Sequence, residues 1–170
     1  MALASLNVTN NQHFAKGGIK YIEIAPNADA GATNAVSDAG VATGIIAASG
    51  NVVVVDFEKE SAKMTVSLSK TDGLNLYNIS IEGYVPAISG ATMEILHNYA
   101  SSNGLRAKVY PYEGNPYLVG WDNVLAETPV FTDFPLILES MEIDSGSALQ
   151  DQNGCTIKFS CVQGTPPAQY

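Results

Sequence analysis

Basic residues and cysteines are scarce in this chain. Its 170 residues include eight Lys and Arg against 17 Asp and Glu, for a formal net charge of −9, and only two Cys. No Lys or Arg falls between Lys108 and Lys158, a stretch that holds eight of the acidic residues. A nucleic-acid-binding surface needs cations that face phosphate. The charge therefore favours an ordinary soluble acidic face or, as a sharper hypothesis, a surface past which DNA slides without sticking.

Long apolar runs are also absent, since none approaches the roughly 20 residues of a membrane span. The N-terminus lacks the basic start and the apolar stretch of a secretion signal, so we expect the protein to be made and used without export by that route. The composition, 46% hydrophobic and 15% charged, is not that of a disordered tail or a membrane protein. The length fits one domain with a substantial core.

The chain divides into an arm and a body. Residues 1–17 are polar and rich in Asn and Gln, and we interpret them as an arm that is ordered only against a partner or the body of the fold. Residues 18–170 are predicted to form a single β-rich domain. Its long loops lie near 26–41, where small residues show no apolar period, and near 122–135.

Alternating apolar and polar residues predict a series of strands. These cover residues 19–25, 51–57, 63–69, 77–82, 106–110, 116–121, 136–143 and 155–162. The Val-rich run 51–57 suits a strand that is buried on both faces, and Thr71-Asp-Gly73 has the residues of a hairpin turn. The run 136–143 is expected to be bulged because its alternation slips.

One helix is predicted at about residues 90–103. Ser89 can cap its start, and Asn103-Gly104 supplies a left-handed stop. Its apolar stripe consists of Met93, Ile95, Leu96, Tyr99 and Ala100. Short strands, frequent turns and one helix predict a mainly antiparallel β-sandwich or barrel with one α-helix.

The two cysteines, Cys155 and Cys161, lie on one predicted strand. At roughly 3.3 Å per residue they are about 20 Å apart, whereas a disulfide needs Cα atoms within about 7 Å. Two thiols fall short of a zinc site unless histidines join them, and the only histidines are His13 in the arm and His97 on the helix. We therefore predict buried structural thiols.

No catalytic, cofactor-binding or metal-binding residue is predicted. The sequence has no G-x-S-x-G elbow, phosphate-binding glycine loop or H-E-x-x-H motif, and two histidines give a nucleophile no evident base. Asp56, Glu58 and Glu60 would share one side of an extended chain, which favours a solvated face over a catalytic carboxylate pair. We expect neither an enzyme nor a cofactor.

Three weaker patterns remain. The segment 144–151 offers loop oxygens to calcium but lacks the ligand spacing and closing Glu of an EF-hand loop. Asn7 and Asn78 begin glycosylation sequons, which we interpret as chance matches because no export signal is present. Four aromatic residues surround a predicted turn: Tyr110, Tyr112, Tyr117 and Trp121. They could stack on a sugar, pack against a neighbouring subunit or cap an edge of the core.

A series of motifs in a fixed order carries a family resemblance. They are the Gly17-Gly18-Ile-Lys start, Val55-Asp-Phe-Glu-Lys-Glu60 before a Thr/Ser-rich strand, Asn78-Ile-Ser-Ile-Glu before a helix, the Tyr117-Leu-Val-Gly120 strand, and Ser145-Gly-Ser-Ala-Leu-Gln-Asp-Gln-Asn-Gly154 before a strand and the final Pro166-Pro-Ala-Gln-Tyr170. From residue 17 onward the chain resembles small tail and neck virion structural proteins of tailed phages and prophages of Bacteroidetes hosts. It departs from them in the Ala/Gly insertion at 26–41 and in the extended 122–135 loop.

The resemblance implies a non-enzymatic, tail-tube-like β-sandwich of the tail tube or head–tail neck. It implies a homo-oligomeric ring, hexameric by analogy, whose partners are further copies and neighbouring virion proteins and through which DNA passes without specific binding. The location would be the virion, assembled in the host bacterial cytoplasm. Such a ring closes by heterologous contacts, and arms and loops become ordered between rings. The alternative is a β-sandwich that binds a carbohydrate or receptor, or decorates the capsid, at the virion surface.

Overall fold

The structure is a computed structural model that describes residues 17–26, 35–36, 42–43, 52–86, 89–100, 104–120, 135–144, 153–164 and 166–169. Within these ranges the elements are β1 (Ile19–Pro26), β2 (Ala35–Val36), β3 (Ala42–Thr43), β4 (Val53–Asp56), β5 (Lys63–Thr71), β6 (Leu74–Pro86), α1 (Gly90–Ala100), β7 (Leu105–Pro111), β8 (Tyr117–Val119), β9 (Ile137–Asp144), β10 (Gly154–Gln163) and β11 (Ala168–Gln169). The predicted class, mainly β with one helix, is confirmed. The predicted arm up to residue 16 and most of the 122–135 loop lie outside the described residues.

Two antiparallel sheets hold most of the strands. The five-stranded sheet has the order β11-β8-β7-β1-β4, and the four-stranded sheet has the order β5-β6-β10-β9. A separate two-stranded pair joins β2 to β3. In the region near 26–41, predicted as a long loop, the structure describes Pro26 at the end of β1 and the two residues of β2, and the other residues lie outside the described ones. A two-residue strand of small side chains is too short to show an apolar period.

One apolar core lies between the two sheets. Every second residue of the central strands points into it, as the pleat of a strand requires. Its most buried members include Ile22, Ile24, Ile79, Ile81, Ala107, Val109, Ile157 and Phe159. The alternation of the strand predicted over 77–82 indicates that Tyr77, Ile79 and Ile81 share its inner face; Ile79 and Ile81 are buried there, and Tyr77 is half-buried.

Strands β5 and β6 form a hairpin, as predicted. They pair from Lys63 opposite Glu82 to Thr71 opposite Leu74. The two turn residues both have positive φ, 51° for Asp72 and 82° for Gly73. Positive φ at both positions is the geometry of a type I′ turn, which Asp-Gly favours and which matches the twist of the two strands.

Two other strand predictions had different outcomes. The Val-rich run was predicted to be buried on both faces, but β4 is an edge strand and Val54 is 52% exposed. The predicted bulge in β9 is confirmed, because the register against β10 shifts between Lys158 and Phe159 and leaves Glu139 as the extra residue. The short strand β11 follows two prolines and was not predicted.

The helix begins where predicted. The Met93 N–H donates to the Ser89 carbonyl at 3.1 Å, which places Ser89 at the N-cap. Leu96 is buried in the core. Ala100 was expected in the buried stripe but is exposed. The predicted last turn, residues 101–103, lies outside the described residues.

Candidate functional site

The face of the four-stranded sheet that points away from the core is rich in hydroxyl groups. We call it the hydroxyl face, and its uncharged polar members include Thr65, Ser67, Ser69, Thr71, Asn78, Ser80, Tyr84, Ser140, Thr156 and Ser160. The same face also carries two exposed apolar side chains, those of Ile137 and Val162. Strict alternation with the core-facing residues places them together. The Asn78 Nδ2 donates to the Ser69 Oγ at 3.0 Å and links two neighbouring strands. Asn78 also begins one of the two sequons, which were interpreted as chance matches.

The charges on the hydroxyl face are compensated. The Nζ of Lys63 lies 3.6 Å from the Glu82 Oε2, and the Nζ of Lys158 lies 2.9 Å from the Glu139 Oε1. Both pairs are solvent-exposed, so each contributes little to stability. Their main effect is on the surface potential: the carboxylate beside each of these two lysines offsets its positive charge.

Both outer strands of this sheet expose apolar side chains on the core side. These are Val66 (41% exposed) and Leu68 (53%) on β5, and Met141 (37%) and Ile143 (48%) on β9. Three of their partners in the ladder are buried, namely Ile79 opposite Val66, Ile157 opposite Met141 and Cys155 opposite Ile143, and Tyr77 opposite Leu68 is half-buried. The four-stranded sheet is therefore wider than the core that covers its inner face, and the apolar side chains at its two edges remain exposed to solvent. Apolar side chains at a sheet edge favour association with another strand.

The β5–β6 hairpin extends beyond its own sheet. Strand β10 accompanies β6 only as far as Gln163, opposite Tyr77. From there to the turn, β5 and β6 pair only with each other among the residues that the structure describes, and Leu74 beside the turn is 66% exposed. A two-stranded ribbon is marginally stable by itself in water, so an adjoining surface would stabilise this tip.

Of the four aromatic residues predicted to cluster near one turn, Tyr110 and Tyr117 lie on opposite faces of the five-stranded sheet, and Tyr112 lies beside Gly18, to whose carbonyl it donates its N–H at 3.3 Å. Tyr110 lies on the outer face of the five-stranded sheet, where its ring stacks on Tyr21 with centroids 4.3 Å apart and its hydroxyl donates to the Glu23 Oε2 at 3.0 Å. Tyr117 packs instead against the core. Trp121 lies outside the described residues. Since Tyr110 and Tyr117 are on opposite faces, they do not form one platform for a sugar.

Sequence reasoning missed two buried polar residues, Arg106 and Gln163. Both are fully buried. The Gln163 Oε1 accepts from the Gly120 N–H at 3.3 Å and lies 3.8 Å from the Cys161 Sγ, so it joins β10 to the end of β8. The period of two places Gln163 on the same face of β10 as Ile157 and Phe159, so its position in the alternation could have revealed its burial. Arg106 alternates with the core-facing Ala107, so the same pattern predicts exposure for it and gives no sign of its burial.

The two cysteines are buried thiols, as predicted. Burial raises the pKa of the Cys155 thiol. His97 is exposed on α1, while His13 lies outside the described residues. Among the residues that the structure describes, no three His, Cys, Asp or Glu side chains come together in a group that could hold a metal.

The predicted carboxylate row does not share one extended face. Strand β4 ends at Asp56, and Glu60 has a φ of 66° in the turn that follows. Glu58 donates its N–H to the Tyr84 carbonyl at 2.9 Å. Burial, together with the charges of Glu58 and Asp144, raises the pKa of Tyr84. Of the candidate calcium segment 144–151, only Asp144 is described.

Comparison with known proteins gives no match. No protein-family model, no curated protein and no solved structure matches this chain. Within the described ranges, no helix has the length and apolar character needed to cross a membrane.

Proposed function

We propose that this protein is a structural virion protein of a tailed bacteriophage, whose copies form homo-oligomeric rings of the tail tube or head–tail neck through which DNA passes. One observation carries the proposal. The four-stranded sheet exposes apolar side chains at both of its edges and presents a face of hydroxyl groups and compensated lysines on its other side.

The exposed edges support assembly from identical copies. Strands β5 and β9 are the two edge strands of one sheet, and they present different surfaces. A contact between β5 of one copy and β9 of another is heterologous, and repeated heterologous contacts close into a ring when the rotation permits. Such a contact would cover Val66 and Leu68 on one side and Met141 and Ile143 on the other.

The hydroxyl face supports the passage of DNA. Proteins bind DNA chiefly by placing Lys and Arg against phosphates and releasing counterions. Lys63 and Lys158 each lie beside a glutamate, and the same face carries Glu142 and Asp144. Phosphates are therefore attracted only weakly to this face, which suits a channel wall past which DNA moves.

The test is the state of the purified full chain. Sedimentation velocity and negative-stain electron microscopy should show rings or stacked rings with a constant number of copies. A chain that stays monomeric at every concentration, or that forms only amorphous aggregates, would overturn the proposal. Specific binding on a glycan array that is lost in Trp121→Ala would favour the alternative of a carbohydrate-binding or receptor-binding protein at the virion surface.

A further inference from the structure

Two tyrosines are stacked on the outer face of the five-stranded sheet. Tyr21 on β1 is directly opposite Tyr110 on β7, and their ring centroids are 4.3 Å apart with the ring planes at 21° to each other. Both residues are half-buried, so the rings contact each other and are also reached from solvent. We propose that this pair is an oxidative modification site, at which hydrogen peroxide activated by a haem peroxidase joins the two rings of one chain as dityrosine.

The stacked contact meets the geometric requirement of that reaction. A phenoxyl radical carries unpaired electron density on its oxygen and on the two Cε atoms next to the hydroxyl carbon, and dityrosine forms when a Cε of one ring bonds to a Cε of another. Opposed residues of an antiparallel pair have Cα atoms about 4.5–5.5 Å apart, and their side chains leave the sheet in the same direction. The Cε edges of Tyr21 and Tyr110 are therefore neighbours before any electron is removed. Because both rings lie at the surface of the sheet and outside the core, they can turn from stacked to edge-joined as the bond forms.

Peroxide supplies the oxidising power, and the atoms and electrons balance. Each tyrosine loses one electron and its phenolic proton, and the two neutral radicals then form one Cε–Cε bond. The hydrogen atom on each bonded Cε moves to the phenol oxygen of the same ring, which restores both aromatic rings and both hydroxyl groups. The two electrons and two protons reduce one hydrogen peroxide to two water molecules. The protein becomes lighter by two hydrogen atoms.

Glu23 gives one of these protons an acceptor. The Tyr110 hydroxyl already donates to the Glu23 Oε2 at 3.0 Å. The Nζ of Lys20 lies 5.7 Å from the centroid of the Tyr21 ring. The Nζ of Lys108 lies 5.2 Å from the centroid of the Tyr110 ring. These two cations oppose a positive charge on either ring, so the electron leaves Tyr110 readily only when the phenolic proton leaves with it. The carboxylate accepts that proton across the existing hydrogen bond.

Peptide mapping tests the site directly. The purified full chain is treated with hydrogen peroxide and a haem peroxidase, and the monomer band of a denaturing gel is digested with trypsin. Trypsin releases residues 21–59 as a peptide whose single tyrosine is Tyr21, and residues 109–158 as another peptide. We expect these two peptides joined, with the fluorescence of dityrosine and a mass equal to their sum less two hydrogen atoms.

Phenylalanine variants identify the partner of Tyr21, because the second peptide also contains Tyr112 and Tyr117. The joined species should be absent from Tyr21→Phe and Tyr110→Phe, which keep the aromatic ring but lack the phenol. It should form as in the parent chain in the matched controls Tyr112→Phe and Tyr117→Phe. Joined peptides that persist in Tyr110→Phe overturn the proposal, and so does a parent chain that gives only covalent dimers or no dityrosine.

The role of Glu23 has its own test. Glu23→Gln retains the shape of the side chain but replaces the carboxylate by a much weaker proton acceptor, so we expect dityrosine to form several-fold more slowly. Glu94→Gln, which removes the same charge at an exposed position of α1, should leave the rate unchanged. Equal rates in the two variants overturn the assignment of Glu23 as the proton acceptor.

The cross-link should also stabilise the fold. It joins β1 to β7 and closes the long segment of chain between them, which lowers the conformational entropy of the unfolded state. We expect the isolated cross-linked monomer to have a higher urea midpoint than the untreated protein. Treated Tyr110→Phe serves as the control for other oxidative changes, and its midpoint should not rise. A cross-linked monomer with a lower midpoint than the untreated protein would show that the native sheet does not accommodate the linked rings and would overturn the proposal.

Discussion

Gly83 on β6 lies directly against the ring of Phe57. A Cβ at Gly83 would come 2.5 Å from the Phe57 Cδ1 and 2.6 Å from the Ala62 Cβ. Phe57 and Ala62 flank the turn that carries the chain from β4 in one sheet to β5 in the other. Phe57 also donates its N–H to the Lys20 carbonyl at 3.2 Å, so this contact holds the two sheets together at one edge of the core.

Adding one methyl group at Gly83 should therefore be costly. We expect Gly83→Ala to lower the free energy of unfolding by about 1–3 kcal/mol, because the ring and the backbone around it must shift. Urea denaturation followed by circular dichroism measures the change. Gly17→Ala is the matched control, since a Cβ there has no atom within 4 Å. Equal midpoints for the two variants would show that Phe57 moves aside without cost.

The buried amide of Gln163 gives a second prediction. In Gln163→Leu the buried N–H of Gly120 loses its acceptor, and an unsatisfied buried donor costs about 1–3 kcal/mol of folding stability. The same denaturation experiment measures this loss. Thr156→Leu, at an exposed position of the same strand, should change stability by less than about 0.5 kcal/mol. A Gln163→Leu protein as stable as Thr156→Leu would show that the hydrogen bond contributes nothing.

The strands that were predicted best from the sequence are those with one face buried and the other exposed. In β6 and β10, apolar residues such as Ile79 and Ile157 alternate with polar ones, because one face meets the core and the other meets solvent. The Val-rich β4 was misjudged because a run of valines looks the same in a central strand and in an edge strand. Position within the sheet is set by tertiary pairing, which local composition does not contain.

The candidate site was predictable only in part. Alternation assigns Ser67 and Ser80 to the hydroxyl face, and this face follows from the sequence. The exposure of Val66 and Met141 does not follow from the sequence. The period of the apolar pattern indicates which face of a strand a residue occupies, but not how far the sheet on the other side of the core extends. The burial of Arg106 escaped prediction for the same reason.

The buried thiol of Cys155 predicts a pH dependence of stability. Its folded-state pKa is raised by burial, whereas the unfolded thiol ionises near its ordinary pKa of about 8.5. Stability is therefore fully present below that pH and falls as the pH rises toward the folded-state pKa. We expect the urea midpoint to decline as the pH rises above about 8.5, and to decline less in Cys155→Ala. The prediction fails if both proteins decline alike.

A last prediction concerns the compensated lysines of the hydroxyl face. Glu82→Gln/Glu139→Gln leaves Lys63 and Lys158 without their carboxylates. Double-stranded DNA should then bind more tightly at low salt, and the dependence of log K on log salt should steepen by about 0.9 for each additional phosphate that a lysine neutralises. Glu60→Gln/Glu94→Gln changes net charge equally at exposed positions away from this face. If DNA binding rises equally in both variants, net charge rather than local compensation keeps DNA from this surface, and the hydroxyl face has no special part in its passage.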